Sequence, residues 1–145
     1  MATQIKIKNI PQGFQSIISN GTHSILGDEP IKSGGTDLGL APSELVLAGL
    51  AMCKVATVRH IARKKGYDIR DVDAVLTQDV KRGPNRSLST FITSDIWIEG
   101  DITEAQRREL MDEADRCYIH RLLQGEINIE HSKELINHSI YEEAT

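Results

Sequence analysis

The sequence predicts an α+β fold with antiparallel sheets around one long apolar helix. Three observations carry that expectation: strands come in runs rather than alternating with helices, short apolar alternations are separated by tight-turn residues, and one segment near the middle keeps a helical pattern for over twenty residues. At 145 residues the chain is long enough to bury a core without disulfides, and the expectation is a single domain over residues 1–145.

The first strands are read from QIKIKNI, FQSIIS and HSIL, with Pro11-Gln12-Gly13 and Asn20-Gly21 as the turns between them. The loop GDEPIKSGGTDLGLAP follows. Its glycines supply turn freedom, but it lacks the GxxxxGK[ST] pattern of a phosphate loop. Asp28 and Glu29 are loop carboxylates that could meet a cation.

Pro42 suits a first helical turn, and Lys64-Lys65-Gly66 suits a last one, so the long helix is expected over about Pro42 to Lys65. Two longer antiparallel strands are then read from the alternations Val72, Ala74, Leu76, Val80 and Leu88, Ile92, Ile96, Ile98, with KRGPNR as their turn. Thr103 and Gln106 form a capping-box pair that opens a polar helix to about Asp115. CYIHRLLQGE reads as a short helical turn ended by Gly125, and Ile127 with Ile129 as a last strand.

The long helix carries Leu45, Val46, Leu47, Leu50, Met52, Val55, Val58 and Ile61, which leaves no broad polar face before Arg59. A helix that is apolar all round must be covered all round, so a homodimer is expected to supply the missing cover.

Charge and termini narrow the function. The formal net charge is -4 with basic residues spread out, which disfavours nucleic acid and anionic membranes as partners. No signal-peptide core opens the sequence, and the longest apolar run, Leu45 to Cys53, is stopped by Lys54, so a cytoplasmic location without a membrane span is expected. The sequons at Asn20 and Asn137 are then chance matches.

In a reducing compartment a pair of cysteines is more often catalytic than structural. Cys53 should lean over Gly49, whose missing side chain leaves room for a small molecule beside the thiol, with Thr57 and His60 continuing along the same face. The same glycine would also serve a close helix crossing, so a buried structural cysteine and a reactive thiol both remain open on this stretch. Cys53 lies about three turns into the helix, beyond the reach of the macrodipole, and a thiolate there needs charge brought from elsewhere. His120 and Arg121, three and four residues after Cys117, are candidate sources. Cys117 and His120 with Cys53 also have the residue types of a metal site, but one short ligand pair is a weak signal.

DEPIKSGGTDLGLAPSELVLAGLAMC, with Pro-x-Glu-Leu and then a cysteine, together with the later Cys-x-x-His-Arg, resembles the OsmC/Ohr family of small thiol-dependent peroxidases. The resemblance spans Asp28 to Glu130 and implies an intertwined homodimer with the paired cysteines near its interface. It implies that Cys53 attacks a hydroperoxide, that Cys117 resolves the product as a disulfide, and that an external dithiol, lipoyl-type in the family, restores both thiols. No bound cofactor or metal is implied, and the biological role the resemblance implies is oxidative-stress defence. The family's hydroperoxidases pair an N-terminal arginine with a glutamate ten residues before the reactive cysteine. Here Ser43 holds that place, Glu44 lies nine residues before Cys53 and half a turn out of phase, and no arginine precedes Arg59; Lys6, Lys8 and Lys32 are the early cations. Glu44, in the first helical turn, reads as a support for the helix start. The alternative function is a non-catalytic protein that binds a small hydrophobic ligand at the dimer interface.

Overall fold

The computed structural model describes residues 2–136. The second sequon, at Asn137, lies outside them. Three short strands, β1 (Lys6–Asn9), β2 (Ser16–Ser19) and β3 (Ser24–Gly27), form an antiparallel meander in the order β1-β2-β3. Gly13 and Gly21, both at positive φ, take the turns, and the Asn20 side chain accepts the backbone N–H of Thr22 and His23 to close the second one.

Helix α1 (Pro42–Lys65) ends as its sequence requires. Gly66 takes φ 69, Tyr67 N–H reaches back to Ala62 O and Gly66 N–H to Arg63 O, which together satisfy two terminal carbonyls. By length and composition α1 is apolar enough to cross a bilayer. Its Val58 and Ala62 are instead buried against protein.

Strands β4 (Asp68–Arg82) and β5 (Leu88–Asp101) pair antiparallel from Asp68↔Asp101 to Arg82↔Leu88, with one irregularity between Ile69 and Val72. Helix α2 (Glu104–Ala114) starts with a complete capping box: Thr103 Oγ1 accepts from Gln106 N–H and Gln106 Oε1 accepts from Thr103 N–H. Helix α3 (Tyr118–Gln124) is short and is capped at its start by Cys117.

The order is therefore βββ, α, ββ, α, α. The expected strand at Ile127 and Ile129 does not form: residues 126–136 hold no regular element. Two alternating apolar residues do not make a strand without a ladder partner to take their N–H and C=O groups.

The described residues divide into two compact units, one of residues 2–45 with 129–136 and one of residues 46–128. In the first, the loop after β3 is folded back so that Gly27 bridges Leu40 and Asp28 N–H reaches Leu40 O. In the second, Val58 and Ala62 of α1, Ile98 of β5, and Leu110 and Ala114 of α2 form the buried core. Tyr67 and Lys65 both bond the Glu109 carboxylate, tying the end of α1 to α2.

Candidate functional site: a thiol pair with a buried lysine

Every fourth residue of α1 from Leu50 to Ala62 is buried, and this stripe includes Lys54 as well as Leu50, Val58 and Ala62. Cys53 sits beside that stripe, partly buried. Its sulfur accepts the backbone N–H of Ile119 at 3.4 Å, in the first turn of α3. Thr57 does not reach the sulfur; its hydroxyl donates to Cys53 O at 2.8 Å within the helix. His60 is exposed.

Cys117 is the residue just before α3, with extended φ/ψ of an N-cap, and its sulfur accepts His120 N–H at 3.4 Å. It is 2% exposed. The structure thus brings the two cysteines, far apart in sequence, to one place as free thiols. Burial pushes the Cys117 thiol above its ordinary pKa, the His120 N–H works against that, and a hydrogen bond to Cys53 together with its charge raises it again, while the charge of Lys54 lowers it.

Lys54 is the residue that sequence reasoning missed. Its side chain is 2% exposed, and its Nζ contacts Asp115 Oδ1 at 3.0 Å, His120 Nδ1 at 3.0 Å and Ala114 O at 3.3 Å. An ammonium has three protons to donate, and here each meets an acceptor. The signal was in the sequence: a cation four residues from Leu50 and four from Val58 stands on the helix face that those residues bury.

The other expected residues are placed differently. His120 joins the site through both its backbone N–H and its ring. Arg121 is exposed, and among the described residues no hydrogen bond or ion pair links its guanidinium to either sulfur. Glu44 is exposed in the first turn of α1, where an acid complements the helix N-terminus. Asp28 and Glu29 do not offer an open cation site at Asp28, whose carboxylate is occupied by donors from Phe14, Glu29, Thr36 and Leu38. Over Gly49 the space is open, since an added Cβ would meet nothing within 4 Å. The Cys53 sulfur therefore does not rest on Gly49 but turns to the start of α3.

Comparisons with known proteins agree with this architecture. No curated protein matches the chain significantly by sequence. Among solved structures, an OsmC-like protein from Mycoplasma pneumoniae is similar with TM-score 0.69 at 24% identity, over 86% of this chain and 90% of that one. An organic hydroperoxide resistance protein OsmC from Legionella pneumophila gives 0.66 at 20% identity, over 86% and 90%. An organic hydroperoxide resistance protein from Elizabethkingia anophelis gives 0.65 at 15% identity, over 86% and 91%. The family model described as OsmC-like protein matches residues 34–132, most of the chain and both cysteine motifs, and the chain belongs to the OsmC-like family.

Proposed function

We propose that the protein reduces organic hydroperoxides with Cys53 as the attacking thiolate and Cys117 as the resolving thiol. The observation that carries this reading is that the two free sulfurs meet at the first turn of α3, where Cys53 accepts Ile119 N–H and Cys117 accepts His120 N–H. The Cys53 thiolate attacks the outer peroxide oxygen, the O–O bond breaks, and Cys53 becomes a sulfenic acid as the alkoxide takes a proton from solvent to leave as alcohol. The Cys117 thiolate then attacks the Cys53 sulfur and expels hydroxide, which leaves as water with the proton that Cys117 lost, and the two sulfurs are joined. A dithiol, oxidised to its disulfide, returns both cysteines to thiols. The names of the Legionella and Elizabethkingia relatives support a hydroperoxide as oxidant. The chemistry requires no bound cofactor.

Thiol counting by mass spectrometry after one equivalent of an organic hydroperoxide tests this reading. The wild type is expected to lose both free thiols to a Cys53–Cys117 disulfide, and Cys53→Ser to keep its remaining thiol and to fall to the uncatalysed rate of peroxide loss. Turnover undiminished in Cys53→Ser would remove Cys53 from the chemistry.

The working form is a homodimer in this reading. Its support is the apolar surface that one chain leaves bare: Met52 of α1 is 73% exposed, and Phe91 and Trp97 of β5 are 74% and 65% exposed. Sedimentation is expected to give twice the chain mass at micromolar concentration; a monomer there would overturn it.

A second reading, binding of a small hydrophobic ligand, is favoured by a cavity of about 280 Å³ in the first unit, lined by Ile7, Phe14, Ile18, Leu40 and Leu45. It predicts saturable binding of an apolar fluorophore that is unchanged in Cys53→Ser, with no disulfide formed by peroxide.

A further inference from the structure

The resolving step poses a physical difficulty. Cys117 must give up its proton to attack, yet it is 2% exposed, and a buried thiolate has lost the water that would stabilise its charge. Some fixed charge or set of donors has to replace that water. The His120 N–H is one donor, at the N-terminus of a helix of seven residues.

Lys54 is placed to supply the rest. Its three acceptors, Ala114 O, Asp115 Oδ1 and His120 Nδ1, lie on the segment that runs from the end of α2 into α3, and they bracket Cys117 in sequence on both sides. A buried ammonium is costly, and nothing in packing alone asks for a lysine in a stripe otherwise made of Leu50, Val58 and Ala62. The preceding residue on the same helix is Cys53, so one element carries both the attacking sulfur and the cation. The charged and titratable groups around Cys117 are Cys53 and Lys54 from α1 and His120 from α3, with Asp115 at the end of α2 acting through Lys54.

We propose that Lys54 is the positioning residue and charge partner of the resolving half-reaction: its anchored ammonium holds the segment carrying Cys117 against Cys53 and stabilises the Cys117 thiolate as it attacks the modified Cys53 sulfur. The direction of its influence agrees: the Lys54 charge, though the smallest of the effects on the Cys117 thiol, acts against those of burial and of Cys53. This inference rests on the assignment of Cys53 and Cys117 as attacking and resolving sulfurs, but it does not depend on a peroxide as the oxidant. Asp115 is the exposed member of the ion pair, its side chain 68% accessible against 2% for Lys54, so its role is to anchor the ammonium rather than to meet a ligand.

The test uses an aromatic disulfide reagent, dithionitrobenzoate, on the reduced full-length protein. Cys53 thiolate attacks the reagent and releases one coloured thiolate, leaving a mixed disulfide. Cys117 thiolate then attacks the Cys53 sulfur of that mixed disulfide, joins the two cysteines, and releases the second coloured thiolate. The second phase reports Cys117 alone and is followed across pH. Lys54→Met keeps the side-chain length and removes the charge, and it leaves the Asp115 carboxylate in solvent rather than buried and unpaired. It is expected to slow the second phase at neutral pH by at least about tenfold and to move its profile to higher pH, the effect of removing one opposite charge beside a thiolate. Lys54→Arg is expected to recover part of the rate. If Lys54→Met fails to fold, Asp115→Asn carries the same test, with a smaller slowing expected. A second phase whose pH profile superimposes on the wild type in a folded variant overturns the proposal. Loss of peroxide reaction with a normal, Lys54-dependent second phase would instead overturn only the peroxide assignment.

Discussion

Serine in place of Cys117 is expected to stop catalytic turnover while leaving the protein folded. The structural half of this expectation rests on position: Cys117 is the N-cap of α3 and its sulfur accepts His120 N–H, a task that a serine oxygen performs better than a thiol. The chemical half follows from what remains. In the proposed reaction Cys53 still carries a thiolate to the peroxide and still becomes a sulfenic acid, but no second sulfur stands beside it to close the disulfide. The sulfenic acid then persists, and further peroxide takes it to the sulfinic acid, which thiols do not reverse. Consumption should therefore fall from many equivalents to about one or two per chain, the capacity of a single sulfur on that ladder. Intact-mass measurement would show the added oxygen on Cys53, and a sulfenic-acid trap would capture it at low peroxide. Sustained turnover in Cys117→Ser at the wild-type rate would show that an external thiol resolves Cys53 directly and that Cys117 is a bystander.

Much of this arrangement is legible in the sequence, and the exceptions have physical causes. The turns at Gly13 and Gly21, the capping box of Thr103 and Gln106, and the stop at Gly66 are local devices whose partners lie within a few residues, so the sequence carries them whole. Ile127 and Ile129 alternate like a strand, but a strand needs a neighbour that a two-residue pattern does not contain. Lys54 reads in sequence as the end of an apolar run, and only the stripe of Leu50, Val58 and Ala62 puts it inside. Its three acceptors come from residues sixty or more positions later, a non-local fact that periodicity does not hold. Arg121 illustrates the converse: it follows His120 directly, yet consecutive helical residues point in different directions, and only His120 turns toward Lys54.

Gly35→Ala is expected to give the largest loss of stability, whereas Gly49→Ala should be harmless, although each adds one methyl group. A Cβ at Gly35 would lie 1.9 Å from Glu29 O and 2.5 Å from Glu29 C. Those are backbone atoms, and they are held in place because Asp28, one residue earlier, accepts the N–H groups of Phe14, Glu29, Thr36 and Leu38 and the Thr36 hydroxyl. The loop cannot open at residue 29 without breaking that set, so the cost should reach at least about 3 kcal/mol, the upper range for overpacking. At Gly49 an added Cβ meets nothing within 4 Å, and alanine in a helix interior is favoured over glycine by roughly 1 kcal/mol. Urea unfolding of the two variants against wild type would read both signs; equal midpoints would mean the loop is not fixed by these contacts. The Asp28 cradle adds a pH signature. The Thr36 hydroxyl first, and then the backbone N–H groups, hold its pKa at about 2 against burial, below the ordinary 3.8. The stability it contributes is therefore fully present above pH 3.8 and is lost as pH falls from there through about 2. Asp28→Asn, with one oxygen left to accept, should flatten that acid limb, and an unchanged limb would assign acid unfolding to other carboxylates.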